Sequence, residues 1–192
     1  MEAFEQFVAV ALADEGLVVS SGIKFPVRRQ VRKVRTEFQT HGYEVDLVGA
    51  RADKLVLASV KSFFGSQGVR SRDVTGDGRG SGLYRLLNDD DIRRGVVEAA
   101  AERYGFEVGQ IHLRLYVGRW ARTRGIDERH MVEEWGHSQA VGAGPIEVYD
   151  VNDVVEVVRR VAASRTYIND PVIVAMKVLI QAGVLTDSAA SV

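Results

Sequence analysis

Asp46 and Lys61 set a carboxylate and an ammonium into two of the most apolar runs of the chain, EVDLVG (44–49) and KLVLASVKS (54–62). A short polar turn at Ala52-Asp53 joins the runs as a β-hairpin. Period-two alternation puts Glu44, Asp46 and Val48 on one face of the first strand, and Leu55, Leu57, Ser59 and Lys61 on one face of the second. Asp46 and Lys61 can then sit side by side. Each charge is costly to bury among such neighbours unless it is paired, wetted or bound to a metal. A plain cross-strand ion pair at a solvated strand end satisfies the same spacing.

The pattern resembles the core of the PD-(D/E)XK nuclease superfamily, to which many restriction endonucleases and Holliday-junction resolvases belong. There an Asp in one strand is followed, a turn and a strand later, by Asp or Glu, any residue, and Lys. Asp46 takes the first position and Lys61 the last, whereas Ser59 stands where the family carries its middle acid. The first helix resembles that of the resolvase-like and Mrr-like branches, FExxVAxxLxxxG, with Glu5 in the place of their metal-site Glu. An exposed acid favoured by the helix macrodipole explains Glu5 equally well.

The resemblance implies phosphodiester hydrolysis assisted by Mg²⁺ or Mn²⁺. Asp46 would ligate the ion, Lys61 would orient the attacking water and offset developing charge, and Glu5 would complete the shell or accept a proton. Ser59 removes one negative charge from that site. Some restriction enzymes of the superfamily have Ser-x-Lys here and take the missing carboxylate from the helix after the motif, which would cast Glu98 or Glu102. Glu44 is the other candidate. Failing these, the site is degenerate, and a module that binds nucleic acid or protein without cutting is the competing class. The implied substrate is DNA, with RNA left open.

The elements around the hairpin follow from local pattern. Residues 2–15 place Phe4, Val8, Ala11 and Leu12 at helical spacing, and Gly16 ends the run. Residues 17–39 read as a strand in which Val27, Val31 and Val34 interleave with Arg28, Arg29, Arg32, Lys33 and Arg35. That is either an edge strand guarded by charge or a surface whose Arg28 and Arg32 contact phosphate. Residues 63–82, rich in glycine and carrying Arg70, Arg72 and Arg79, are expected to form a weakly ordered loop able to close over nucleic acid. A helix over 88–104 and a strand over 111–117 come next. Residues 121–144 read as irregular and lack HExxH. A short strand (146–149) and a Val-rich helix (151–163) precede a last helix, started by Asp170-Pro171, whose broad apolar surface either packs on the domain or makes a homodimer.

This order is similar to the superfamily's αβββαβ core. The expected fold is therefore α/β and restriction-endonuclease-like, a central mixed sheet flanked by helices. A single nuclease-like domain fills residues 1–192, with the core over about 2–120 and C-terminal additions over 121–192. A formal net charge of −1, from 25 basic and 26 acidic residues, provides no global field for nucleic acid, so binding must come from local patches. No cysteine is present, which removes disulfides and thiolate metal sites and suits a reducing, cytoplasmic setting. No apolar run approaches the roughly 20 residues a bilayer requires, so no membrane partner is expected.

Overall fold

The computed structural model describes residues 2–30 and 38–185. Five strands form one sheet in chain order: β1 (Val18–Gln30), β2 (Phe38–Arg51), β3 (Lys54–Lys61), β4 (Ile111–Val117) and β5 (Glu147–Asp150). The first three pair antiparallel, the last three parallel. Tight turns serve antiparallel neighbours, whereas parallel ones need a crossover. Helix α4 (Asp90–Tyr104) lies in the chain between β3 and β4, and α5 (Glu128–His137) between β4 and β5. The remaining helices are α1 (Ala3–Asp14), the short α2 (Ser71–Val74) and α3 (Arg85–Asn88), then α6 (Val151–Ala163) and α7 (Pro171–Gln181). The molecule is thus α/β, a five-stranded mixed sheet flanked by helices.

β3 is central and apolar on both faces, as strands of parallel pairs tend to be. Leu55 and Leu57 pack with Ile92, Val96 and Leu113 in the layer that contains α4, and Val56, Ala58 and Val60 pack with Phe4, Val8, Leu12 and Val158 in the layer that contains α1 and α6. Burying each such side chain contributes about 1.5–3 kcal/mol. Helix starts are fixed by side-chain acceptors: Asp89 for α4, Asp127 for α5, Asp150 for α6 and Asp170 for α7. In α7, Val172, Ile173 and Met176 are buried in the α1–α6 layer, while Val178 and Leu179 stay exposed.

The β1–β2 pairing continues out to Gln30 and Phe38, but β2 pairs with β3 only as far as Leu47 and Ala58. The outer half of the hairpin therefore projects beyond the central strand. Side-chain alternation also slips at the point of departure. Tyr43 and Val45 face the α4 layer, Leu47 the α1 layer, and Val48 the α4 layer again. β1 makes the matching change between Val19 and Ile23, where Gly22 holds φ of +64°, a conformation a side chain would strain. Strict alternation through Asp46, as expected from sequence, does not hold.

Two further expectations are corrected. Residues 63–82 are anchored at points along the segment, with Val69 and Val74 fully buried while residues 64–67 stay exposed. The backbone N–H and the hydroxyl of Ser71 both donate to the Glu128 carboxylate at 2.6 Å, Gly80 N–H donates to Asp73, and the Asn88 amide donates to the carbonyls of Asp73 and Ser81. These polar anchors outweigh the entropy of the glycines. Residues 121–144, expected to be irregular, contain α5, whose Asp127 cap is a start signal that the surrounding polar residues obscure. Among the described residues no helix is long and apolar enough to cross a membrane.

Candidate active site

Where β2 leaves β3, the side chain of Asp46 replaces the missing backbone partner. Its Oδ2 accepts the N–H of Val60 at 2.6 Å, the hydroxyl of Ser59 at 3.3 Å and the ammonium of Lys61 at 3.4 Å. Both members of the Asp46–Lys61 pair are about four-fifths shielded from solvent. The group lies at the carboxyl end of the central strand, inside the sheet rather than on an edge strand. Open α/β sheets present ligand crevices at that end.

Asp46 and Lys61 line a pocket of about 560 Å³ together with Glu2 and Glu5 at the start of α1 and with Phe64 and Leu83. Glu5 accepts the N–H of Glu2 at 3.0 Å, and Glu2 accepts the hydroxyl of Ser62 at 2.7 Å. The first bond restrains a helix end whose N–H groups have no other intrahelical partner. The second ties that end to the residue after Lys61. Glu2 was not singled out from sequence, although an acid three residues before Glu5 at a helix start is the signal of a reciprocal cap.

The other candidate acids are not brought to this pocket. Glu44 is exposed and pairs with Lys24 across the hairpin at 3.6 Å. Glu98 and Glu102 line a separate groove with Arg28, Arg29 and Arg94, because α4 packs over β1, the far edge of the sheet. Arg28 lies over the Phe38 ring at 4.6 Å. Arg32 lies outside the described residues. Arg70 and Arg72 sit in and beside α2, where Arg70 donates to the Gln67 side chain and Arg72 is exposed.

Asp46, Lys61 and Glu5 therefore line one pocket, Glu2 joins them, Ser59 is buried beside it and bonded to Asp46, and Glu44 and Glu98 stay apart. The donors are carboxylates and a hydroxyl, the oxygen set that Mg²⁺ and Mn²⁺ take. Among the described residues no three acidic or histidine side chains already converge as a metal cluster.

The strongest buried charge network lies elsewhere and is structural. Arg114 of β4, almost fully buried, donates to Glu15 at 2.6 Å and to Glu147 at 2.7 Å and lies over the Tyr149 ring. Burial by itself raises the carboxyl pKa of Glu15 and Glu147, but the Arg114 guanidinium outweighs it, helped by Lys54 at Glu15 and by Tyr149 and His112 at Glu147. Both end below the ordinary value. Burial pushes the Tyr149 phenol up to about 12.

Comparison of the chain with protein-family models, with curated proteins and with solved structures finds no match. The functional reading accordingly rests on the residues themselves.

Proposed function

We propose that this chain is a metal-dependent nuclease of the PD-(D/E)XK type, hydrolysing phosphodiester bonds and acting on DNA ahead of RNA. The observation that carries the reading is the 3.4 Å approach of Asp46 and Lys61 in a pocket that Glu2 and Glu5 also line. The order of a helix, three antiparallel strands, a helix and a parallel strand supports it, being similar to the restriction-endonuclease-like core.

In this reading Asp46 and Glu5 would hold Mg²⁺ or Mn²⁺, and Glu2, which lines the same pocket, would supply the negative charge that Ser59 lacks. The bound ion would lower the pKa of a coordinated water and neutralise phosphate charge. Lys61 positions the attacking water and stabilises the charge that builds on the phosphoryl oxygens. Ser59 and the Val60 N–H hold the Asp46 carboxylate in a fixed orientation. The water oxygen would bond to phosphorus, the P–O bond to the leaving sugar oxygen would break, and the proton released by the water would end on that oxygen. Holding the ion through Glu5 would compete with the bond that Glu5 accepts from the Glu2 N–H.

One observation favours a second reading, a degenerate module that binds without cutting. Three donors already occupy Asp46 Oδ2, and among the described residues no ready cluster of acids surrounds it. Titration calorimetry with Mn²⁺ separates the two. Saturable binding that Asp46→Ala removes supports the nuclease, and absence of heat in the wild type supports the module.

A further inference from the structure

Residues 68–72 run alongside residues 119–122. Val69 and Trp120 form a parallel bridge, with Val69 N–H donating to the Arg119 carbonyl and Ala121 N–H to the Val69 carbonyl, each at 2.8 Å. Gly68 makes the approach possible: its φ is +88°, and a Cβ there would stand 2.6 Å from the Trp120 carbonyl carbon. The bridge sets the backbone segment that carries Arg70 and Arg72 alongside the segment that carries Arg119, Arg122 and Arg124.

None of these five arginines has a carboxylate within ion-pair distance among the described residues, whereas Arg29, Arg51, Arg93, Arg114, Arg129 and Arg160 all do. The acids of the same segments are already committed. Asp73 accepts from Gly80 N–H, Asp127 from His130 N–H, and Glu128 from Ser71 and Thr123. Those donors are neutral, so the three acids keep their charge, and residues 68–73 and 119–128 together carry five arginines against three acids, a local excess of positive charge on a chain whose overall charge is −1.

The patch is continuous with the candidate site. Arg119 donates to the Phe64 carbonyl at 3.2 Å. Phe64 is 52% and Leu83 62% exposed; the Phe64 ring packs edge-on against Phe4 at 5.5 Å, and both residues line the pocket of Asp46 and Lys61. A cationic track beside an exposed aromatic ring is the arrangement that holds unpaired nucleotides, whose bases can stack while phosphates meet arginine. A duplex would keep its bases stacked inside and leave the ring unused.

We propose that Arg70, Arg72, Arg119, Arg122 and Arg124 form a phosphate-binding platform that leads a single-stranded polynucleotide into the Asp46–Lys61 pocket, with Phe64 and Leu83 receiving an unpaired base. The inference rests on the nuclease reading for the pocket's role but makes a separate claim about the substrate's form.

The test is fluorescence anisotropy in EDTA with one labelled oligonucleotide presented as single strand or duplex, with a parallel RNA single strand to identify the sugar. The expected result is single-strand binding at least about tenfold tighter than duplex binding. Arg122→Ala with Arg124→Ala should weaken it at least about tenfold and lower the slope of log K against log salt by about 1.4, at about 0.7 per phosphate contact on single strands. Phe64→Ala should cost the single strand about fivefold or more and leave the duplex unchanged. Equal or tighter duplex binding, or a double arginine variant that binds like the wild type, would overturn the inference. Because no metal is present, a protein that never cleaves can still pass this test, and one that cleaves can still fail it.

Discussion

The carboxylate of Asp46 stands 2.6 Å from the backbone nitrogen of Val60, so a side chain of β2 bonds β3 just before Leu47, where the backbone pairing of the two strands begins. One group thereby serves both the sheet and the candidate site, and substitutions at Asp46 should separate the two roles. Asp46→Asn keeps an acceptor for Val60 and removes the charge. It should abolish cleavage while urea-denaturation stability changes by less than about 1 kcal/mol, whereas Asp46→Ala, which orphans the Val60 N–H, should cost about 1–3 kcal/mol. Equal stability losses in the two variants would assign Asp46 no part in holding β3.

Ser59→Glu restores the acid of the full family pattern beside Asp46. With Glu2 and Glu5 already facing the pocket, the added charge should change the Mn²⁺ affinity seen by calorimetry by less than about threefold, well under the tenfold that corresponds to 1.4 kcal/mol. A variant that binds Mn²⁺ where the wild type does not would identify the native site as degenerate.

Much of this architecture is legible in the sequence because its signals are local. The Ala52-Asp53 turn, the helix start at Asp170-Pro171 and the continuous apolar run of β3 each fix an element without help from distant residues. The site is legible only in part. Asp46 and Lys61 meet across a short hairpin, but the alternation argument fails at Asp46 because Gly22, on a neighbouring strand, permits a slip that no periodicity encodes. Glu98 is misassigned because helix periodicity gives the face of α4 but not the strand beneath it, which is β1. The order of residues 63–82 comes from Glu128, 57 positions beyond Ser71, a contact that composition cannot anticipate.

Glu128 should therefore control that segment. Glu128→Ala leaves the buried Ser71 N–H and hydroxyl without their acceptor, and hydrogen exchange should accelerate at least about tenfold across residues 69–75 while β3 and β4 stay protected. Unchanged protection of Ser71 would show that the apolar anchors Val69 and Val74 suffice.

Stability should also carry an acid limb from the Arg114 network. The folded-state pKa values of Glu15 and Glu147 lie below their ordinary values. Their contribution is therefore complete above the unfolded glutamate value of about 4.3 and is lost as pH falls through the folded values. Urea midpoints should be flat from about pH 7 to 5.5 and fall below about 4.3. Arg114→Met leaves both carboxylates without their buried partner, so it should cost about 3–5 kcal/mol at neutral pH and remove most of the acid limb. A variant as stable as the wild type would show that the network contributes no net stability.

The most direct measurement of the central claim is cleavage of single-stranded and duplex DNA by the purified chain with Mg²⁺ or Mn²⁺, alongside Lys61→Ala and an EDTA control. The expected result is metal-dependent nicking by the wild type, loss of at least about a hundredfold in rate in Lys61→Ala, within the range that removal of one stabilising donor produces, and an unchanged circular dichroism spectrum. A wild type that cuts neither form with either metal, or a Lys61→Ala variant that cuts at the wild-type rate, would contradict it.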